Sequence, residues 1–381
     1  MTNTAIHPFT LSIDQSELDT LQTRLAATRW PERECVDDWS QGAPLAHVQA
    51  LVDHWRHGYD WRRCEAMFNS WGQHVTEIDD LDIHFCHIRS PHENALPLIM
   101  THGWPGSIAE FRHVIAPLTN PTAHGGKAED AFHLVLPSLP GYGFSGRPTR
   151  TGWGLDKIAP AWAELMTRLG YGDHFAAQGG DWGSAVTSAL GMLAPAGLKA
   201  IHLNMAVARP LPEDMADLTD AEKSSLAGFQ AYNTHGNGYA IQQKTKPQTL
   251  GYGLADSPVG QAAWIYEKFQ GWSDGASRPE DSFDRDELLD NIMIYWLTNS
   301  GASSARLYWE SFDNFAAKDV QVPAGISIFP REIFRPSRRW AERVYRNIIY
   351  WNELPKGGHF AAFEVPDLFI EEVRSCFRGV R

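Results

Sequence analysis

Cysteine is scarce: four occur in 381 residues, Cys35, Cys64, Cys86 and Cys376, and none falls in a CxxC pair. Free thiols in a reducing, cytoplasmic setting are the expectation. Basic charge is also in deficit, with 33 Lys and Arg against 46 Asp and Glu and a net charge of −13. Such a surface repels phosphate backbones and anionic headgroups, so neither nucleic acid nor a membrane surface is an expected partner. No apolar run approaches the roughly eighteen residues of a membrane span. The opening MTNTAIHPFT lacks the basic end and apolar core of a secretory signal, so no membrane anchor is expected. Repeats and low-complexity runs are absent. The 16 histidines form no HExxH and no His/Cys box, so no metal is expected. His84, Cys86 and His87 are neighbours, but in a strand His84 and His87 point to opposite faces. The six arginines between Arg331 and Arg346 are interleaved with Glu332 and Glu342 and read as a solvated helix face.

What is present is a globular composition, 43% hydrophobic and 21% charged, which excludes a largely disordered chain. Leu11, Leu18, Leu21 and Leu25 recur at helical spacing over 11–30, ended by Trp30-Pro31, and a second helix is expected over 45–57. Alternation over 81–88 predicts a half-buried strand. Short apolar runs follow at 97–101, 134–136, 175–177, 200–203, 326–329 and 348–351, separated by helix-like stretches at 107–117, 155–169, 183–194 and 336–346. That alternation predicts an α/β fold, a mostly parallel sheet flanked by helices. Between 205 and 315 strand signals stop and helical spacing takes over, as in Leu288, Leu289, Ile292, Met293 and Trp296. The expected organisation is an N-terminal extension (1–75), a first core part (76–204), an inserted helical cap (205–315) and a second core part (316–381).

The chemistry concentrates at three strand ends. In Gly179-Gly180-Asp181-Trp182-Gly183-Ser184 a strand runs through small residues into a helix. This is the pattern of a nucleophile elbow, with Asp181 where serine usually stands. An aspartate at a helix start is already ionised and can attack an alkyl carbon directly to form an ester, without a base to remove a proton. Ser184 lies beyond the elbow centre, which disfavours a serine esterase. His102-Gly103-Trp104-Pro105 follows another buried strand, and the backbone N–H groups of Trp104 and Trp182 are placed to form an oxyanion hole. His102 itself reads as a structural histidine. Gly357-Gly358-His359 follows the last strand and brings an imidazole to the same sheet edge. Glu332, after the preceding strand, is the carboxylate expected to orient it, and Glu364 is a weaker candidate.

Together these segments resemble the α/β-hydrolase-fold epoxide hydrolases, and within them the microsomal or juvenile-hormone type. Arg29-Trp30-Pro31, Leu139-Pro140-Gly141-Tyr142-Gly143-Phe144-Ser145, Thr245-Lys246-Pro247 and Asp256-Ser257-Pro258 extend the likeness over about residues 8 to 375. The resemblance departs at the N-terminus, where microsomal enzymes carry an anchor. It implies opening of a small-molecule epoxide to a vicinal diol through an ester on Asp181, hydrolysed by water that His359 and Glu332 activate. It implies two cap tyrosines, Tyr239 and Tyr308, that activate the epoxide oxygen; Tyr295 reads as core. No cofactor is implied, and a homodimer is compatible with the sequence, which does not specify an oligomeric state. A haloalkane dehalogenase with the same Asp-His-carboxylate set is the main alternative, and a binding protein without turnover is the second.

Overall fold

The computed structural model describes residues 4–275 and 277–381. One sheet contains nine strands: β1 (Ile6–Pro8), β2 (Gln73–Ile78), β3 (Leu81–Ile88), β4 (Leu96–Thr101), β5 (Phe132–Pro137), β6 (Phe175–Gly179), β7 (Leu198–Leu203), β8 (Ala324–Ile328) and β9 (Ile348–Glu353). Their order is β1-β2-β3-β5-β4-β6-β7-β8-β9. The pairings from β1 to β5 are antiparallel, and those from β5 to β9 are parallel. The parallel strands are the continuous apolar runs because helices cover them; every residue of β5 and β6 is buried. In β3 the alternation breaks at His84, which is buried and bonded through both ring nitrogens to Ser138 and Gln73.

Helices α1 (Gln15–Ala26), α2 (Leu45–His57) and α3 (Trp61–Asn69) precede β2. Next come α4 (Ile115–Thr119), α5 (Leu155–Arg168) and α6 (Asp181–Leu193). Between β7 and β8 the described residues hold no strand, only α7 (Asp220–Ala231), α8 (Gly238–Thr245), α9 (Pro247–Asp256), α10 (Pro258–Trp272), α11 (Arg285–Leu297) and α12 (Gly301–Ser311) with short turns. The chain closes with α13 (Arg338–Ala341), α14 (Ala361–Glu364) and α15 (Pro366–Phe377). Among the described residues no helix is long and apolar enough to cross a membrane.

Three expectations need correction. The helix expected over 11–30 is confined to α1: residues 11–14 precede it in irregular chain, and it stops at Ala26, short of Trp30-Pro31. The stretch 107–117 is no single helix but a 3-10 turn, Ile108–Phe111, followed by α4. The arginine run is not a solvated helix face, because α13 spans only Arg338–Ala341. Arg339 instead reaches Glu222 at 2.6 Å and Asp217 at 3.1 Å, and Arg343 pairs with Asp214. These arginines clasp the helical insertion to the segment after β8. A second clasp centres on a fully buried carboxylate: Asp290 of α11 accepts from Tyr59 at 2.8 Å, Arg63 at 3.0 Å and Arg112 at 2.7 Å. Three donors from the N-terminal segment and the core make that buried carboxylate tolerable.

Candidate active site

The sheet register sets the site. Thr101 of β4 lies opposite Gly179 of β6, so His102-Gly103-Trp104 and Gly180-Asp181 leave the sheet side by side at its carboxyl edge. β4 sits between β5 and β6, where the strand order reverses, the usual place for a ligand crevice in such sheets. Close packing then forces the elbow. A Cβ on Gly179 would stand 2.1 Å from the Gly183 carbonyl oxygen, one on Gly183 would stand 1.8 Å from that of Thr101, and one on Gly103 would stand 2.2 Å from Asp181 Oδ1. Asp181 is driven to φ +50°, a left-handed conformation that a non-glycine residue holds at a cost of about 1–3 kcal/mol.

The Asp181 carboxylate is held from two sides. The Trp104 N–H donates to Oδ1 at 2.7 Å. His359 Nε2 lies 3.5 Å from Oδ2, and its Nδ1 lies 2.7 Å from Glu332 Oε1. Glu332 Oε1 also accepts from the Ile333 N–H, and among the described residues no arginine forms an ion pair with Glu332. The His359 backbone N–H donates to the Trp272 carbonyl at 2.9 Å, tying the main chain at this residue to the end of α10. Burial opposes a charge on this ring, but Glu332 and Asp181 outweigh it and hold the imidazole well above its ordinary pKa. Glu364 does not reach the ring. It accepts from the Gly358 and Asp274 N–H groups and shapes the loop, and burial pushes its carboxyl up to about 7. His102 Nε2 accepts from the Leu139 N–H, and burial lowers its pKa to about 4, so it is a neutral structural group. Ser184 donates to the Met205 carbonyl and points away from the elbow. The Trp182 N–H belongs to the first turn of α6, where backbone donors have no intrahelical acceptor.

The facing wall comes from the insertion. Tyr239 of α8 and Tyr308 of α12 are both buried, with ring centroids 5.8 Å apart. Trp104 stacks on Tyr239 at 4.7 Å, and Trp182 meets Tyr308 edge-on at 4.8 Å. A cavity of about 320 Å³ is lined by Asp181, Trp182, Tyr232, Tyr239, Tyr308 and Phe315, among others. Burial holds both phenols well above their ordinary pKa, so they stay protonated. Tyr295 lies elsewhere in the core and donates to the Gly106 carbonyl at 2.7 Å.

Sequence reasoning missed three neighbours. The Tyr232 hydroxyl is 3.0 Å from that of Tyr239; a separation of seven residues, two helical turns, was its only signal. The Lys268 ammonium lies 4.7 Å from the centre of the Tyr239 ring, and nothing local in the sequence marks it. Glu110 shares a polar void of about 20 Å³ with Gln178, Asp181, Asn204 and His359, wide enough for one water. Gly106 leaves room for it, since a Cβ there would overlap Glu110 Oε1. Burial lifts the Glu110 carboxyl to about 8, against the opposing pull of His359. Gln178 Oε1, also buried, has no protein partner. Among the described residues no group of three or more His, Cys, Asp or Glu could hold a metal ion.

Comparison with known proteins bears on the family and the fold. The family profile described as "Epoxide hydrolase N terminus" matches residues 6–111, and that described as "alpha/beta hydrolase fold" matches residues 97–235. The chain is 59% identical to a Stigmatella aurantiaca protein named "Putative epoxide hydrolase", over 99% of this chain and 86% of that one. It is 35% identical to "Epoxide hydrolase 1" of Oryctolagus cuniculus, over 97% of this chain and 88% of that one. The solved structure of Aspergillus niger epoxide hydrolase superposes with a TM-score of 0.90 at 32% identity, covering 100% of this chain and 98% of that one. With an aspartate at the elbow, a His–Glu pair behind it and likeness along nearly the whole chain, this protein belongs to the epoxide hydrolase family of the α/β-hydrolase fold.

Proposed function

We propose that the protein opens an epoxide to a vicinal diol in two steps. The observation that carries this reading is one cavity with the Asp181 carboxylate on one wall and the phenols of Tyr239 and Tyr308 on another. An epoxide is strained, but its leaving group is a basic alkoxide. Ring opening therefore needs a nucleophile and an acid on different sides. Trp104 already holds Asp181 Oδ1, which leaves Oδ2 to attack a ring carbon. As that C–O bond forms, the ring C–O bond breaks and its oxygen takes a phenolic proton. General acid help of this kind contributes on the order of a hundred-fold or more.

The resulting ester is neutral. Loss of the Asp181 charge lets the His359 imidazolium release its proton to solvent; the neutral ring, oriented by Glu332, then takes a proton from water, and the water oxygen attacks the Asp181 carbonyl carbon. The void beside Glu110 and Gln178 is a suitable waiting place for that water. The N–H groups of Trp104 and Trp182 stabilise the oxyanion, a contribution of about 3 kcal/mol per donor in comparable sites. Collapse returns the imidazolium proton to the departing diol, and the proton left on Asp181 returns to the phenolate. The sum is epoxide plus water giving diol, with no cofactor. A halide leaves without protonation, so the phenol pair disfavours the dehalogenase alternative.

The test is a trapped ester. A His359→Gln variant mixed with styrene oxide should gain the mass of the epoxide on the peptide carrying Asp181. Absence of any adduct, with ring opening intact in the parent protein, would refute the two-step scheme.

A further inference from the structure

We propose that Lys268 acts through the Tyr239 ring, making Tyr239 rather than Tyr308 the phenol that gives up its proton. This rests on the function proposed above and assigns unequal roles to the two phenols.

Lys268 is a cation where cations are rare: it lies on α10 and is 6% exposed. Its ammonium stands 4.7 Å from the centroid of the Tyr239 ring and 5.8 Å from that of Trp272. Its carboxylate partner is the neighbouring Glu267, whose side chain is 33% exposed against 8% for Lys268. Solvent reaches that carboxylate more readily than it reaches the contact between ammonium and ring. Among the described residues no comparable cation lies over Tyr308, which instead stacks on Phe312 at 5.7 Å.

A neutral phenol attracts a cation over its face only through the ring quadrupole. Once its proton leaves for the epoxide oxygen, the ring carries a full negative charge, and the same ammonium then attracts it far more strongly. The contact therefore strengthens as the reaction proceeds, and only such contacts accelerate a chemical step. Tyr308 has no such compensation and is left to hold the epoxide oxygen as a hydrogen-bond donor.

The experiment is a double-mutant cycle read by rapid-quench ester formation with styrene oxide. Lys268→Met should slow ester formation by on the order of ten- to thirty-fold, the range of a desolvated cation–ring contact, while Lys268→Arg stays near the parent rate. In a Tyr239→Phe background the ring remains but the acid is gone. There Lys268→Met should change the rate by less than about twofold, whereas in Tyr308→Phe its full effect should persist. Lys268→Gln gives the same cycle should the methionine variant fail to fold. Equal slowing by Lys268→Met with and without the Tyr239 hydroxyl overturns this inference alone. If Tyr239→Phe by itself leaves ester formation unchanged, the acid role assigned to Tyr239 falls, and this inference falls with it.

Discussion

Alkylation of Asp181 should switch His359 from a stabilised cation to a base. In the resting site the imidazole sits between two carboxylates, Glu332 at 2.7 Å and Asp181 at 3.5 Å. Ester formation removes the second charge. At an effective dielectric constant of about 20, a unit pair at 3.5 Å interacts by roughly 332/(20 × 3.5), or about 4.7 kcal/mol. Solvent reaching the 11% exposed Asp181 side chain screens part of it, but losing this partner still lowers the imidazole pKa, leaving Glu332 alone to oppose burial. Asp181→Asn imitates the neutral ester, and a nitrogen NMR titration of His359 in both proteins measures the difference. The sign for stability follows. A histidine whose folded pKa is raised stabilises the fold fully below its unfolded value of about 6.5, and that stability is lost as pH rises through the folded pKa. Asp181→Asn should narrow that window from above. An imidazole pKa that moves by less than about 0.3 units between the two proteins would refute the charge coupling, and with it the idea that the first step arms the second.

Gly183→Ala should destabilise the protein by about 1–3 kcal/mol or more and abolish activity, because its Cβ would lie 1.8 Å from the Thr101 carbonyl oxygen; thermal unfolding and diol formation measure both. Tyr295→Phe should cost about 1–3 kcal/mol in urea unfolding by orphaning the Gly106 carbonyl, yet leave ester formation near the parent rate. Asp290→Leu should cost about 3–5 kcal/mol, since Arg112 and Arg63 lose a fully buried partner, and proteolysis should then attack the helical insertion first.

Much of the site was legible in the sequence because it is local. The glycines around Asp181 admit only one kind of turn, and the apolar runs of β4, β5 and β6 dictate strands buried on both faces. The chain order Asp181, Glu332, His359 follows from which strand each residue succeeds. Glu332 and Glu364 were harder to separate, since both are near His359 in sequence or in space. The His359 ring turns to Glu332, while Glu364 is engaged by backbone N–H groups of the same loop. The arginine run was misread because its partners, Asp214, Asp217 and Glu222, come from the insertion, and no local spacing encodes them. Lys268 and Glu110 were invisible for the same reason, and Tyr232 carried only its seven-residue separation from Tyr239. Steric limits over a few neighbouring residues determine a turn or a strand, so the sequence alone determined the elbow and the sheet. Which distant side chains share a cavity depends on how the insertion packs over the sheet edge, and the tertiary structure alone decided that Lys268 lies against Tyr239 and that Glu110 lies beside His359.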